Sequence, residues 1–198
     1  MFVKYYNDNK TDKSKMAQPT SDDWIQHNEF AKFKHMRIIN YLSLFILLAG
    51  YVSCVFYFPN WLDDVTQHYS EIQNILALLC SIGLYFFIHE LFHLIAMPKP
   101  KEGESRYFLF HNTLIAVFYN GYMSINRYKF IVLTPFIVLS FIIFPLAYYT
   151  EGLVSSVLWF VGISHLGSCI YDICIIFKLK GYSNYKEIYT SPLGMYFR

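Results

Sequence analysis

The chain has 198 residues, of which 55% are hydrophobic and 20% aromatic, while only 15% are charged. That balance is too apolar for an ordinary soluble domain of this length. The formal charge of +2 is small and gives no reason to expect a nucleic-acid partner.

Residues 1–20 are polar and rich in Lys, Asp, Asn and Ser, and read as a disordered cytoplasmic tail. Residues 1–37 hold no apolar run of signal-peptide type, so targeting is expected to fall to the first spanning helix. Ser21-Asp22-Asp23 can start a short helix. Trp24, Ile25, Phe30 and Phe33 then suggest either contact with the membrane surface or a plain lead-in to the first span. Four stretches match the roughly 20 apolar residues that a bilayer requires: Ile38–Phe58, Ile75–Met97, Phe130–Tyr149 and Leu153–Phe177. The expected fold is an all-α membrane protein of four transmembrane helices. Its single membrane domain covers 21–185, with spans at 38–58, 75–97, 130–149 and 153–177, and a cytoplasmic C-terminal tail covers 186–198. Cys54, Cys80, Cys169 and Cys174 all fall in these spans without a Cys-x-x-Cys pair, which reads as packing.

The second span carries His89-Glu90-Leu91-Phe92-His93. On a helix the two histidines of this H-E-x-x-H pattern lie one turn apart on one face, where both reach one metal ion. The glutamate between them is the general base of a zinc peptidase, so Zn²⁺ is the expected cofactor. From Ile75 to Met97 the motif supplies the only ionisable side chains, Cys and Tyr aside. Such groups are costly within a membrane and tend to be functional.

Lys and Arg, sixteen in all, lie before the first span, between the second and third, and after the fourth. The connection holding Asp63, Asp64 and Glu71 and the one holding Glu151 carry none. The positive-inside rule then places both termini and the central loop in the cytoplasm. That loop, residues 98–129, starts at Pro98 and Pro100, which end the second helix. Tyr107 to Phe118 is aromatic and β-branched, reading as a short cytoplasmic β-hairpin or extended region, with a further turn at Asn120-Gly121. A strand edge there could hold an extended substrate by main-chain hydrogen bonds, or be a surface hairpin with no such role.

A catalytic zinc takes three protein ligands, and the motif supplies two. The other ionisable residues in the spans are His165 and Asp172, two turns apart on one face of the fourth, with Ser168 and Cys169 on the same stripe. At the helical rise, His93 lies about 6 Å and Asp172 about 8 Å from the cytoplasmic ends of their helices. Asp172 is the favoured third ligand. His165 could instead bind metal, orient substrate, bond the tetrahedral intermediate or be a satisfied interhelical group. His27, His35, His68 and His111 fall outside the spans and are read as unrelated to the site.

The chain resembles the putative zincin peptidase family of small bacterial membrane proteins, similar in design to site-2 proteases. The resemblance rests on the H-E-x-x-H motif, the aromatic hairpin region, and Met123-Ser124-Ile125-Asn126-Arg127-Tyr128 leading to Thr134-Pro135. Ser164-His165-Leu166-Gly167-Ser168 followed by Asp172 completes it, over roughly residues 75–185. The site-2 pattern's Asn/Pro-rich segment before the liganding Asp is replaced here by Ser164–Ser168, and no PDZ domain is inserted. The resemblance implies that His89, His93 and Asp172 bind zinc, that Glu90 is catalytic, and that the protein lies in a bacterial cell membrane. The substrate would be a membrane protein or peptide near the cytoplasmic face. The rival readings are a non-enzymatic metal-binding or transport protein, a haem-binding bundle with His93 and His165 as axial ligands, and an inactive scaffold.

Overall fold

A computed structural model describes residues 3–6, 19, 23–26, 41–50, 52, 71–111, 114–191 and 194–198. In chain order the elements are β1 (Val3–Tyr6), β2 (Ile25–Gln26), α1 (Tyr41–Gly50), α2 (Glu71–Ala96), β3 (Ser105–His111) and β4 (Leu114–Ser124). They continue with α3 (Ile125–Tyr149), α4 (Gly152–Lys180), β5 (Glu187–Ser191) and β6 (Gly194–Phe197). The chain divides into two compact units. The first takes in residues 1–36, 90–134 and 173–198, and the second residues 37–89 and 135–172.

The first unit is built on a sheet of strand order β1-β3-β4-β5-β6-β2. β3 to β6 form an antiparallel run, β1 adds to it in parallel, and β2 pairs antiparallel to β6. β4 changes partner partway along its length. Its residues 114–120 pair with β3, ending at Ser105↔Asn120, and residues 121–124 pair with β5, starting at Gly121↔Thr190. A Cβ at Gly121 would stand 2.7 Å from Tyr119 Cε1, so a larger residue at this changeover would have to displace that ring. Thr190 Oγ1 donates to the Tyr119 carbonyl at 2.5 Å and Tyr189 Oη donates to Asn120 Oδ1 at 3.2 Å, which fix the register there. Leu94, Met97, Tyr119, Met123, Ile131, Ile175, Leu179, Ile188 and Phe197 share the buried core of this unit.

Helix α2 ends at Ala96 because Pro98 and Pro100 follow. Its last carbonyls have no partner within the helix. Two arginines supply donors at this end. Arg127 Nη2 donates to the Ala96 carbonyl at 2.7 Å, and the buried Arg106 donates through Nη2 to Met97 (2.6 Å) and Pro98 (2.7 Å). Cations at a helix C-terminus also oppose the negative end of its dipole. Helix α3 starts where Ser124 Oγ accepts the Arg127 N–H at 3.2 Å, an N-cap.

The second unit is helical. Ser43 Oγ donates to the Gly167 carbonyl at 2.5 Å, joining α1 to α4. A Cβ at Gly162 would come 2.9 Å from Phe144 Cε1, so a glycine lets α4 approach α3 closely. The two helices are joined through Gly152, whose φ of +59° is the left-handed conformation that glycine adopts without strain.

The all-α, four-transmembrane-helix expectation is overturned by the sheet and by the number of candidate spans among the described residues. Among the described residues two helices are long and apolar enough to cross a membrane: Ile125–Tyr149 and Val154–Lys180, with mean hydropathy 2.6 and 1.7. Within the expected first and second spans lie the shorter apolar helical stretches Tyr41–Gly50 and, inside α2, Gly83–Ala96; the rest of Ile38–Phe58 lies mostly outside the described residues. Local expectations shift with it. Val3–Tyr6, inside the expected disordered tail, form β1, and Ile25–Gln26 form β2 where a helix was expected to start. The expected tail 186–198 supplies β5 and β6, with Ile188 and Phe197 fully buried. Asn120-Gly121 is the changeover of β4 and not a turn. These segments are short, and their strand character depends on partners distant in the chain, which local pattern does not reveal.

Candidate metal centre

Tyr85, His89 and His93 follow one another at four-residue intervals on α2, so they form one stripe. Glu90 lies beside it. His89, Glu90 and His93 each offer a ligand-type atom within 4.8 Å of the others. His89 is 5% exposed, and in the second unit its Nε2 stands 3.3 Å from Asp172 Oδ2. Two ligands at about 2.0–2.2 Å from a tetrahedral zinc stand about 3.3–3.6 Å apart, so this pair has the separation of neighbouring metal ligands. The structure thus brings together His89 and Asp172, residues 83 apart in sequence, on α2 and α4.

The ring orientations fit a metal. His93 Nδ1 lies 2.9 Å from the Ile131 carbonyl oxygen. A carbonyl only accepts, so Nδ1 carries the hydrogen and Nε2 of the neutral ring keeps its lone pair. His89 Nδ1 lies 3.2 Å from the Tyr85 hydroxyl, which leaves its Nε2 directed at Asp172. Both imidazoles therefore present Nε2, with Nδ1 engaged behind, as metal-bound histidines do.

His165 is fully buried, and both its ring nitrogens are engaged. Nε2 faces the Phe136 carbonyl at 3.5 Å and Ser140 Oγ at 3.3 Å, and Nδ1 faces the Tyr85 hydroxyl at 3.1 Å and Cys169 Sγ at 3.4 Å. Tyr85 also bonds Ser168 Oγ, whose own proton goes to the His165 carbonyl at 2.9 Å. His165 thus stands behind His89 through Tyr85. His89, His165 and Cys169 also form a group whose ligand-type atoms lie within 4.8 Å. Cys169 is completely buried, as the packing reading of the sequence expects, and its Sγ also touches this network. Of the other cysteines, Cys80 and Cys174 are free thiols, and Cys54 lies outside the described residues. So do His27, His35 and His68.

In the first unit, Glu90 Oε2 accepts the Val117 N–H at 2.9 Å. That N–H points away from β3, since β3 lies on the other edge of β4. Opposite β3, residues 114–120 of β4 carry no strand among the described residues. Glu90 therefore sits against a stretch of strand edge that no described strand covers.

Sequence reading missed Tyr85, Ile131, Val117 and the arginine caps. Tyr85 was legible, being the next position up the His89–His93 stripe. The others act through main-chain atoms, or through a charge that reads as surface.

A family model described as putative zincin peptidase matches residues 82–185. That covers just over half the chain, including the motif, β3, β4, α3 and α4. No curated protein and no solved structure matches.

Proposed function

The chain belongs to the putative zincin peptidase family, and from that premise we propose that it is a membrane-embedded zinc endopeptidase cutting a membrane protein or peptide near the cytoplasmic face. His89, His93 and Asp172 would hold the metal, and Glu90 would be the catalytic residue. The observation that carries this reading is the 3.3 Å approach of His89 Nε2 to Asp172 Oδ2. It sets a buried carboxylate beside the motif's first histidine, which supports a three-ligand set of the kind a catalytic zinc takes.

Zinc bound there would supply a Lewis acid that acidifies the attacking water and polarises the scissile carbonyl. Glu90 accepts the water proton and returns it to the leaving amine. For that it must leave the Val117 N–H that it now holds. An extended substrate laid along residues 114–120 of β4 would offer its own carbonyl to that N–H, so strand addition and release of Glu90 become one event.

Membrane embedding is supported by the surface of α3. Phe130, Ile137, Phe141, Ile142, Leu146, Tyr148 and Tyr149 are all exposed, Phe141 by 77%. An apolar stripe of that length is unfavourable in water and at home in lipid. Arg127 and Lys129 at the start of α3, and Lys178 and Lys180 at the end of α4, support the reading that these helix ends would face the cytoplasm, by the positive-inside rule.

Metal analysis of the purified full-length protein should give one zinc per chain, lost in His89→Ala. Glu90→Gln should keep the zinc, and comparing the membrane proteome of that variant with wild type should show uncleaved proteins accumulating. Unchanged cleavage products in Glu90→Gln would end the peptidase reading.

A further inference from the structure

We infer that Pro135 is a positioning residue for His93: it strips the Ile131 carbonyl of its helical donor, so that this carbonyl can take the hydrogen of His93 Nδ1. The inference rests on the metal site proposed above. In an α-helix the N–H of each residue bonds the carbonyl four residues back. For residue 135 that carbonyl belongs to Ile131. Pro135 lies inside α3, is fully buried, and has no N–H to give.

The Ile131 oxygen instead faces His93 Nδ1 at 2.9 Å. One missing amide hydrogen in α3 is thus matched by one imidazole hydrogen from α2. A proline in a helix interior is destabilising unless something offsets it, and here the carbonyl it uncovers has a defined new donor. The consequence is a fixed tautomer. With Nδ1–H committed to Ile131, His93 Nε2 remains a lone-pair donor before any metal arrives, and the ring needs no reorientation to bind one. The neighbouring carbonyl is handled differently: Thr134 Oγ1 donates to Phe130 O at 2.7 Å, within the helix itself. Pro145 provides an internal control. It uncovers the Phe141 carbonyl in the same way, but Phe141 is an exposed residue away from the motif.

The test compares full-length wild type, Pro135→Ala and Pro145→Ala in detergent. It measures zinc affinity by chelator competition, the visible spectrum of the Co²⁺ form, and thermal unfolding of the zinc-free protein. Pro135→Ala restores an N–H that competes for Ile131. Its zinc affinity should fall about 10–100-fold, the usual effect of losing a partner of a liganding histidine. Its Co²⁺ spectrum should shift, while its zinc-free form unfolds at the wild-type temperature or above, because a helix-breaking residue has gone. Pro145→Ala should leave zinc affinity unchanged. Wild-type zinc affinity in Pro135→Ala overturns the inference alone. Weaker zinc accompanied by a less stable zinc-free protein assigns Pro135 to packing and overturns it too. A wild-type protein that takes up no zinc overturns both the inference and the site it rests on.

Discussion

His89 and His93 stand one turn apart on α2, yet the two are held by different kinds of partner. In the second unit His89 is backed by side chains: Tyr85, then His165 and Ser168, with Ser140 and Cys169 beyond. In the first unit His93 and Glu90 are held by main-chain atoms, the Ile131 carbonyl and the Val117 amide. A side-chain network can be altered one atom at a time and gives way gradually. A main-chain partner persists through most substitutions at its own position and yields only when backbone geometry changes. The halves of one motif should therefore respond to mutation in opposite styles.

The largest effect removes the distinction. His89→Ala and His93→Ala should each abolish stoichiometric zinc, measured by metal analysis, because each would remove one of the proposed ligands. Zinc retained by either variant would break the symmetry between the two histidines and point to the His89–His165–Cys169 group or to a site without His89. Below that, Tyr85→Phe should weaken zinc about 10–100-fold, the range for losing the partner of a liganding histidine. By contrast, Ile131→Val should leave zinc affinity as it is, since the accepting carbonyl survives the change. Equal losses in these two variants would erase the contrast between side-chain and main-chain support.

The same contrast explains what could be read from the sequence. His89, Glu90, His93 and Asp172 were legible because an ionisable group in an apolar stretch is conspicuous by type alone. The aromatic run of 107–118 was legible as extended for a similar reason. The long apolar runs of α3 and α4 announced themselves by composition. What stayed hidden acts by position in three dimensions. Nothing in Glu187–Ser191 says that it pairs with β4, because the partners are more than 60 positions away, as in Gly121↔Thr190. Arg106 reads as a loop charge on the cytoplasmic side, yet it is 5% exposed and closes the end of α2. The expected count of four spans gives way to two helices among the described residues that are long and apolar enough to cross a membrane.

Arg106 allows a smaller test on the main-chain side. Its guanidinium bonds two successive carbonyls, reaching Pro98 through both Nε (3.1 Å) and Nη2 (2.7 Å) and Met97 through Nη2 (2.6 Å). Lys keeps the charge but not the planar fork, so Arg106→Lys should lose about 1–2 kcal/mol of stability. Thermal unfolding of the zinc-free protein reads this directly. The loss should come with little change in zinc affinity, because Ala96, Met97 and Pro98 lie beyond His93. A large loss of zinc with stability intact would mean that the caps tune the metal ligands as well as the fold.

The smallest effect probes how far the side-chain network extends. His165 Nε2 is met by Ser140 Oγ at 3.3 Å and by the Phe136 carbonyl at 3.5 Å. Ser140→Ala removes the first and leaves the second. The carbonyl still requires a hydrogen on Nε2, so the tautomer of His165 is preserved and Nδ1 stays an acceptor. Zinc affinity should then change by no more than about threefold, less than the roughly 1 kcal/mol of a typical hydrogen bond. A tenfold loss would show that Ser140, and not the Phe136 carbonyl, sets the His165 tautomer. The support of His89 would then depend on side chains through its outermost link, making the contrast with His93 sharper still.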